Sequence, residues 1–385
     1  MDNISKLKFC YGCGTCVTAC PKKIIRLQED RFGFFSPEVF DQDKCIECGL
    51  CLKVCSFCNP LSPEKKDSHD ISSYAGWSKD KDIRKKCSTG GVVFEIANHM
   101  MQQGYKACGV RYNNELHIAE HFIANTIEEF KPSIGSKYLQ SYTTEAFSQF
   151  KADSKYVVVG TPCQIASLRE YIKLRRIENN FLLIDFFCHG VPSMNMWRKY
   201  LKFVSKHAKI SPYEIAWRNK ENGWHDSWVM SFKEKDSKAY DYLSNVKNGD
   251  LFYKMFLYNR CLNKACYTSC KFKMANSSAD IRVGDLWGKH YSDEDAGVNG
   301  ILAFTAKGKE AIASAESIQL VSESMDIVLE GQMKKGPKRD YIVALDSFLL
   351  RTPLSLPAIC KINRLVPMIL WPIFAIRGRL KQLIK

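Results

Sequence analysis

Eight cysteines in the first 60 residues repeat one spacing twice. Cys10, Cys13, Cys16 and Cys20 recur as Cys45, Cys48, Cys51 and Cys55, every member displaced by 35 residues, and each half reads C-x2-C-x2-C-x3-C. A C-x2-C-x2-C loop wraps three thiolates around three corners of an iron–sulfur cube, and the fourth cysteine, aimed away, ligates the other cube. The spacing therefore predicts one 4Fe-4S cluster on Cys10, Cys13, Cys16 and Cys55 and a second on Cys45, Cys48, Cys51 and Cys20. Gly12, Gly14 and Gly49 sit inside the loops, where the missing side chain lets backbone N–H groups approach sulfur. Zinc also accepts C-x2-C, but it takes two separated pairs and leaves the third closely spaced cysteine without a role.

Residues 1–60 resemble bacterial two-cluster ferredoxins. The departure is Ser56, where proline is commoner after the second motif. Two clusters form a one-electron relay, so the rest of the chain must hold what the electrons are for. The chain has 385 residues, 45% hydrophobic and 25% charged, the balance of a folded protein. Met1 to Tyr11 carries no signal-like apolar run, which predicts a cytoplasmic chain with its 17 cysteines reduced rather than a disulfide scaffold. The formal charge of +15 is +1 over residues 1–60 and +6 over residues 346–385. Bound clusters, at about −2 each, offset much of it. No nucleic-acid-reading motif accompanies it, and nucleic acid is excluded as a partner.

After Pro60 a polar, proline-bounded stretch reads as a linker over residues 61–72. Beyond it helical and strand patterns alternate: a helix over Val92 to Gln103, buried strands over Lys155 to Gly160 and Phe181 to Phe187, helices over Ile165 to Arg175 and Met194 to His207. Ile215 to Trp217 and Trp228 to Phe232 read as short strands and Asp250 to Asn259 as a helix. No G-x-G-x-x-G follows a strand, which disfavours a standard NAD(P) fold. Other motifs stand out instead: Cys87-Ser-Thr-Gly-Gly91 running into an apolar helix, Gly135-Ser-Lys-Tyr-Leu-Gln-Ser141, Val159-Gly-Thr-Pro-Cys-Gln164, and Asp185-Phe-Phe-Cys-His-Gly190. Cys261, Cys266 and Cys270 precede Gly284-Asp-Leu-Trp-Gly288.

In this order the motifs resemble the beta subunit of coenzyme F-420 hydrogenases and dehydrogenases, over roughly residues 74–300. The departure is Cys266-Tyr-Thr-Ser-Cys270, with three residues between the cysteines rather than two. The resemblance implies an α+β chain: a ferredoxin-like domain at 1–60, a mixed α/β flavin and iron–sulfur domain at 73–345, and a basic apolar tail at 346–385. It further implies FAD, a cluster beside it, a redox partner protein or ferredoxin, and a small-molecule hydride carrier such as coenzyme F-420. A reductase of another organic substrate and a non-catalytic electron-transfer subunit are the alternatives.

For the flavin diphosphate the candidates are Ser88, Thr89, Gly90, Gly91 and Lys137, a helix start with a nearby cation. Thr161, Gln164 and Asp285 are candidates for the ring or substrate side, and His189 for a proton donor. Trp217, Trp224, Trp228 and His225 read as core aromatics. A third 4Fe-4S cluster is expected on Cys163, Cys188, Cys266 and Cys270, two at strand ends and two in a short loop, with Cys261 in reserve. Cys87, Cys108 and Cys360 read as plain thiols. Leu365 to Ile376 is an apolar run too short to span a bilayer; it reads as a segment packed on the domain or on another subunit, or, with its basic flanks, as a peripheral contact at the inner membrane face.

Overall fold

The computed structural model describes residues 3–60 and 70–366. At the N-terminus β1 (Ile25–Glu29) and β2 (Phe35–Val39) form an antiparallel hairpin with Ile25 opposite Val39. Two short helices, Thr15–Ala19 and Leu50–Lys53, begin directly after Gly14 and Gly49. The core between them is small, and three of its six fully packed members are Cys16, Cys51 and Cys55. So little apolar surface cannot hold 60 residues rigid by itself, and ligation and outside contacts must do the rest.

The larger part follows as β3 (Ser72–Ser78), β4 (Tyr105–Asn113), β5 (Ile118–Ala124), β6 (Ser141–Tyr142), β7 (Lys155–Val159), β8 (Phe181–Phe186), β9 (Glu214–Ala216), β10 (Val229–Lys233), β11 (Tyr242–Asn245), β12 (Ile281–Asp285), β13 (Asn299–Ala303) and β14 (Ile318–Ser322). Nine of these make one mixed sheet in the order β14-β3-β13-β12-β8-β7-β4-β5-β6. The four middle strands, β12, β8, β7 and β4, run parallel, and antiparallel strands flank them. Continuous apolar runs in β7 and β8 are what a parallel strand covered on both faces requires. Val157, Leu182 and Ile184 face the helix Val92–Gln102, while Val158 and Leu183 face the helix Pro162–Leu174.

The sequence-based elements hold to within a residue or three at each end. β9, β10 and β11 pair as a separate antiparallel sheet, β11-β10-β9. They share an aromatic core with the helices Met194–Ala208 and Leu251–Leu257, built on Trp197, Tyr200, Trp217, Phe232 and Phe252.

Two expected boundaries shift. β3 takes in Ser72, the last linker residue, and residues 61–69 lie outside the described part. The division at 345/346 falls inside the helix Tyr341–Leu349, and Leu349, Leu350, Leu356 and Ile359 are buried in the aromatic core. Asp346, fully buried, pairs with Arg260 at 2.8 Å. The start of the supposed tail is thus core. The apolar run falls outside the described residues apart from Leu365 and Val366. Among the described residues no helix is long and apolar enough to cross a membrane.

Candidate electron-transfer site

The N-terminal cysteines fall into two groups around two small hollows. One is lined by Cys10, Cys13, Cys16 and Cys55, the other by Cys20, Cys45, Cys48 and Cys51. Cys20 and Cys55 have thus changed places between the two sequence motifs. Gly12, at φ +70°, turns its N–H onto Cys10 Sγ at 3.3 Å, and a Cβ there would lie 2.2 Å from the Phe35 carbonyl oxygen. Asn3 Nδ2 donates to Cys45 Sγ at 3.4 Å. Burial, followed by the neighbouring Cys13, pushes the Cys10 thiol up to about 12. Such thiols stay protonated unless a metal displaces the proton. Among the described residues no three His, Cys, Asp or Glu side chains converge as on a single ion. A cubane carries its thiolates at separate corners, and the two hollows suit that donor set.

Cys163, Cys188, Cys266 and Cys270 also come together. Cys163 lies in the first turn of Pro162–Leu174, a helix opened by Pro162 and a capping box between Thr161 and Gln164. Cys188 follows β8, and Cys266 sits in the helix Lys264–Thr268. Burial of the sulfurs of Cys163, Cys188 and Cys266, with the neighbouring cysteines adding to it, raises these three thiols; Cys266 reaches about 12. A fully buried ion pair pins the arrangement. Arg282 on β12 meets Asp185 on β8 through two 2.7 Å bonds, and its other nitrogen donates to the Phe272 and Met274 carbonyls. Lys273 Nζ donates to the Cys188 carbonyl at 2.6 Å. Cys261 lies elsewhere, in the aromatic core, so the reserve ligand is set aside.

The quartet adjoins the N-terminal segment on one side. Cys13 is among the charges felt by Cys163. Tyr11 packs on Phe57 and Phe272 between them and donates its hydroxyl to the Ser269 carbonyl. Lys271 Nζ caps the Ser56, Phe57 and Asn59 carbonyls at 2.6 to 3.0 Å.

On the other side lies a cavity of about 460 Å³ at the C-terminal ends of β4, β7, β8 and β12, where ligands of open α/β sheets collect. Ser88, Thr89, Gly91, Lys137, Thr161, Gln164, His189 and Asp285 all line it, as does Cys188. Gly90 does not: a Cβ on it would lie 2.7 Å from the Gly76 carbonyl oxygen and 2.8 Å from Asn299 Oδ1, so its role is close packing. Two of the expected polar contacts are already used. Thr89 Oγ1 donates to Asp285, and Ser88 Oγ accepts from Ser136 N at 2.8 Å.

Lys137 Nζ donates to the Pro132 and Ile134 carbonyls at 2.8 and 2.9 Å, and burial pushes its pKa down to about 7. His189 departs from its expected role. Burial, then Lys273, lower it to about 4, and its Nε2–H is committed to the Phe256 carbonyl at 3.2 Å. A neutral ring held this way orients the strand end and is a poor proton donor near neutral pH.

Several groups in or behind the cavity wall escaped the sequence reading. Trp228 and Trp287 lie 6.0 Å apart, with Trp224 stacked on Trp287 at 4.8 Å. Arg218, buried, places its guanidinium 4.5 Å over Trp228 and 5.3 Å over Trp287. Tyr138 stacks between Trp228 and Phe256. Trp217 is core as expected, but Trp228 is wall. Cys87, read as a plain thiol, also lines the cavity. The alternation of Lys271 and Lys273 with the cysteine loop was a legible sign of cations near the quartet; Arg218 carried no such sign.

The chain matches family models along most of its length. Residues 9–58 match a 4Fe-4S dicluster domain. Residues 73–148 and 153–326 match the N- and C-terminal models of the coenzyme F-420 hydrogenase/dehydrogenase beta subunit. An uncharacterised protein of Methanocaldococcus jannaschii is 23% identical over 284 residues, 62% of this chain and 74% of its own length. The coenzyme F-420-dependent sulfite reductase of the same organism is 26% identical over 163 residues, 42% of this chain and only 25% of that protein. The structure of the F-420-reducing NiFe hydrogenase complex from Methanosarcina barkeri aligns over 77% of this chain and 90% of the matched chain, at 16% identity and a TM-score of 0.46. The chain belongs to the coenzyme F-420 hydrogenase/dehydrogenase beta subunit family, an iron–sulfur, oxidoreductase-related family, and carries a 4Fe-4S dicluster domain at its N-terminus.

Proposed function

We propose that this protein is an iron–sulfur flavoprotein that moves electrons between a redox partner protein and a small organic hydride carrier. The observation that carries this reading is Cys188, which belongs to the cysteine quartet and also to the wall of the cavity. Three cysteine sets then stand in series: Cys20, Cys45, Cys48 and Cys51 outermost, with Cys48 exposed, next Cys10, Cys13, Cys16 and Cys55, and last the quartet beside the cavity. FAD bound in the cavity would supply the exchange between single electrons and a hydride.

The chain's own groups divide the remaining work. Lys137 and the helix start at Val92 offer a cation and N–H donors to a diphosphate. Trp228 and Trp287 offer a flat wall to a planar ring, and the Arg218 guanidinium packed against both rings puts a positive charge behind it. Lys273 places a positive charge beside Cys188, where added electron density is offset. Coenzyme F-420 suits such a wall as a planar, anionic carrier.

The test is anaerobic reconstitution with iron, sulfide and FAD, reduction by dithionite, and reoxidation by coenzyme F-420 followed at the flavin band. Bound flavin that reoxidises with the deazaflavin is the expected result. Flavin that reduces without deazaflavin turnover redirects the proposal to another organic substrate. A chain that binds no flavin overturns it and leaves an electron-transfer subunit.

A further inference from the structure

Two buried serines join the first cysteine set to the third. Ser167, fully buried on the helix Pro162–Leu174, has its Oγ 3.2 Å from Cys13 Sγ. The same oxygen accepts from Ser56 N at 3.0 Å and lies 2.8 Å from Ser56 Oγ. Ser56 Oγ in turn donates to the Cys163 carbonyl at 3.1 Å. A hydroxyl has one proton to give and two lone pairs to receive with. With Cys13 as a thiol, the S–H points at Ser167 and the Ser167 proton goes to Ser56. A Cys13 that ligates iron has lost its proton, and its sulfur is then an acceptor only. Two hydroxyls lie within hydrogen-bond reach of that sulfur, Thr15 from its own loop and Ser167 from the facing helix, and only Ser167 links it to Ser56 and the Cys163 carbonyl. Ser56 gives up an incoming bond but keeps its own donation to Cys163.

We propose that Ser167, oriented by Ser56, is a positioning residue that donates to the Cys13 sulfur and raises the reduction potential of the first cluster. The proposal rests on the assignment of that cluster to Cys10, Cys13, Cys16 and Cys55. A donor to a ligand sulfur stabilises the more negative, reduced cluster, and a dry site strengthens the effect. One electron enters the cluster, no bond breaks, and the proton stays on Ser167. Position 56 explains its own departure from proline: proline has neither the N–H that fixes Ser167 nor a hydroxyl to reach Cys163. The bridge thus favours electron arrival at the cluster that adjoins the Cys163 quartet.

The test is a redox titration of anaerobic full-length protein, read by electron paramagnetic resonance. In Ser167→Ala the first cluster's one-electron equilibrium shifts about tenfold against reduction, about 59 mV, while the second cluster stays in place. Ser167→Thr keeps the hydroxyl and restores the midpoint. Ser56→Ala removes only the competing acceptor, so its first-cluster midpoint stays or rises. Ser167→Ala with full iron and an unmoved midpoint overturns the proposal. If Ser167→Ala fails to load iron, a lowered midpoint in Ser56→Ala overturns it instead. A wild-type chain lacking the signals of two N-terminal clusters sinks the underlying assignment as well, a result separable from the other two.

Discussion

This chain gathers cysteines in two physically different ways. In the N-terminal segment the positions follow one another at intervals of three and four residues, on loops whose glycines leave room for sulfur. The surrounding core is a handful of side chains, so ligand binding itself must supply much of the order there. The quartet of Cys163, Cys188, Cys266 and Cys270 is instead brought together by a nine-stranded sheet and locked by the Asp185–Arg282 pair, with both side chains fully buried. Cysteines on loops are ordered by what they bind; cysteines held by the sheet and its flanking helices are ordered by the fold before anything binds.

That contrast can be broken in a definite order of severity. Arg282→Ala strands the Asp185 carboxylate in the interior, which costs about 3–5 kcal/mol. Denaturant unfolding should register the loss, together with release of the quartet's iron, while the N-terminal clusters keep their spectra. The double change Asp185→Leu with Arg282→Met should cost far less, because no lone charge remains. Next, Cys163→Ala should lower iron from about 12 to about eight per chain and stop electrons from reaching the cavity. Its counterpart, Cys20→Ser, should spoil the cluster of Cys45, Cys48 and Cys51; damage confined to Cys10, Cys13 and Cys16 would refute the exchange of ligands.

Smaller effects sharpen the picture of the cavity. A diphosphate ligand should bind most tightly below pH 7, where Lys137 is charged before binding, and weaken as pH rises through its depressed value of about 7. Lys137→Met should lose roughly tenfold in affinity, from one charged hydrogen bond, and flatten that pH dependence as measured by calorimetry. The same depression means that the free protein gains stability as pH rises from about 7 towards the ordinary lysine value, since the unfolded chain holds that proton longer. Thr89→Val, which removes the hydroxyl bond to Asp285, should cost about 1 kcal/mol.

How far these features were legible in the sequence depends on how locally they are encoded. The eight N-terminal cysteines and the buried strands β7 and β8 are written in spacing and in uninterrupted apolar runs. That Cys163 and Cys188 would meet was legible because both follow the ends of neighbouring buried strands. Gly90 was misread because a glycine that admits a phosphate and a glycine that admits a neighbouring strand look alike; Asn299, more than 200 residues away, decides between them. Trp228 was read as core because nothing local tells a buried aromatic from one whose face is left to a ligand. Arg218 packs behind Trp228 and Trp287 only because β9 and β10 position its loop, and its partners Tyr138 and Asp285 lie 80 and 67 residues away in the sequence. The break at 345/346 failed for a related reason: the basic, apolar composition beyond it outweighed the helical register that crosses it.

The bonds that seat the N-terminal segment span long stretches of chain. Phe35 N is held by Gln140, 105 residues on, Cys13 by Ser167, 154 residues on, and Tyr11 by Ser269, 258 residues on. At a synthesis rate of about 5–20 residues per second, the last of these partners emerges roughly 13–50 s after Tyr11. Once Cys55 has been made, the first cysteine set is complete while Ser269, which closes over it, is not. The bond that closes Tyr11 over the first hollow forms only after residue 269 has been made, so iron reaches Cys13 more freely before that point than after it.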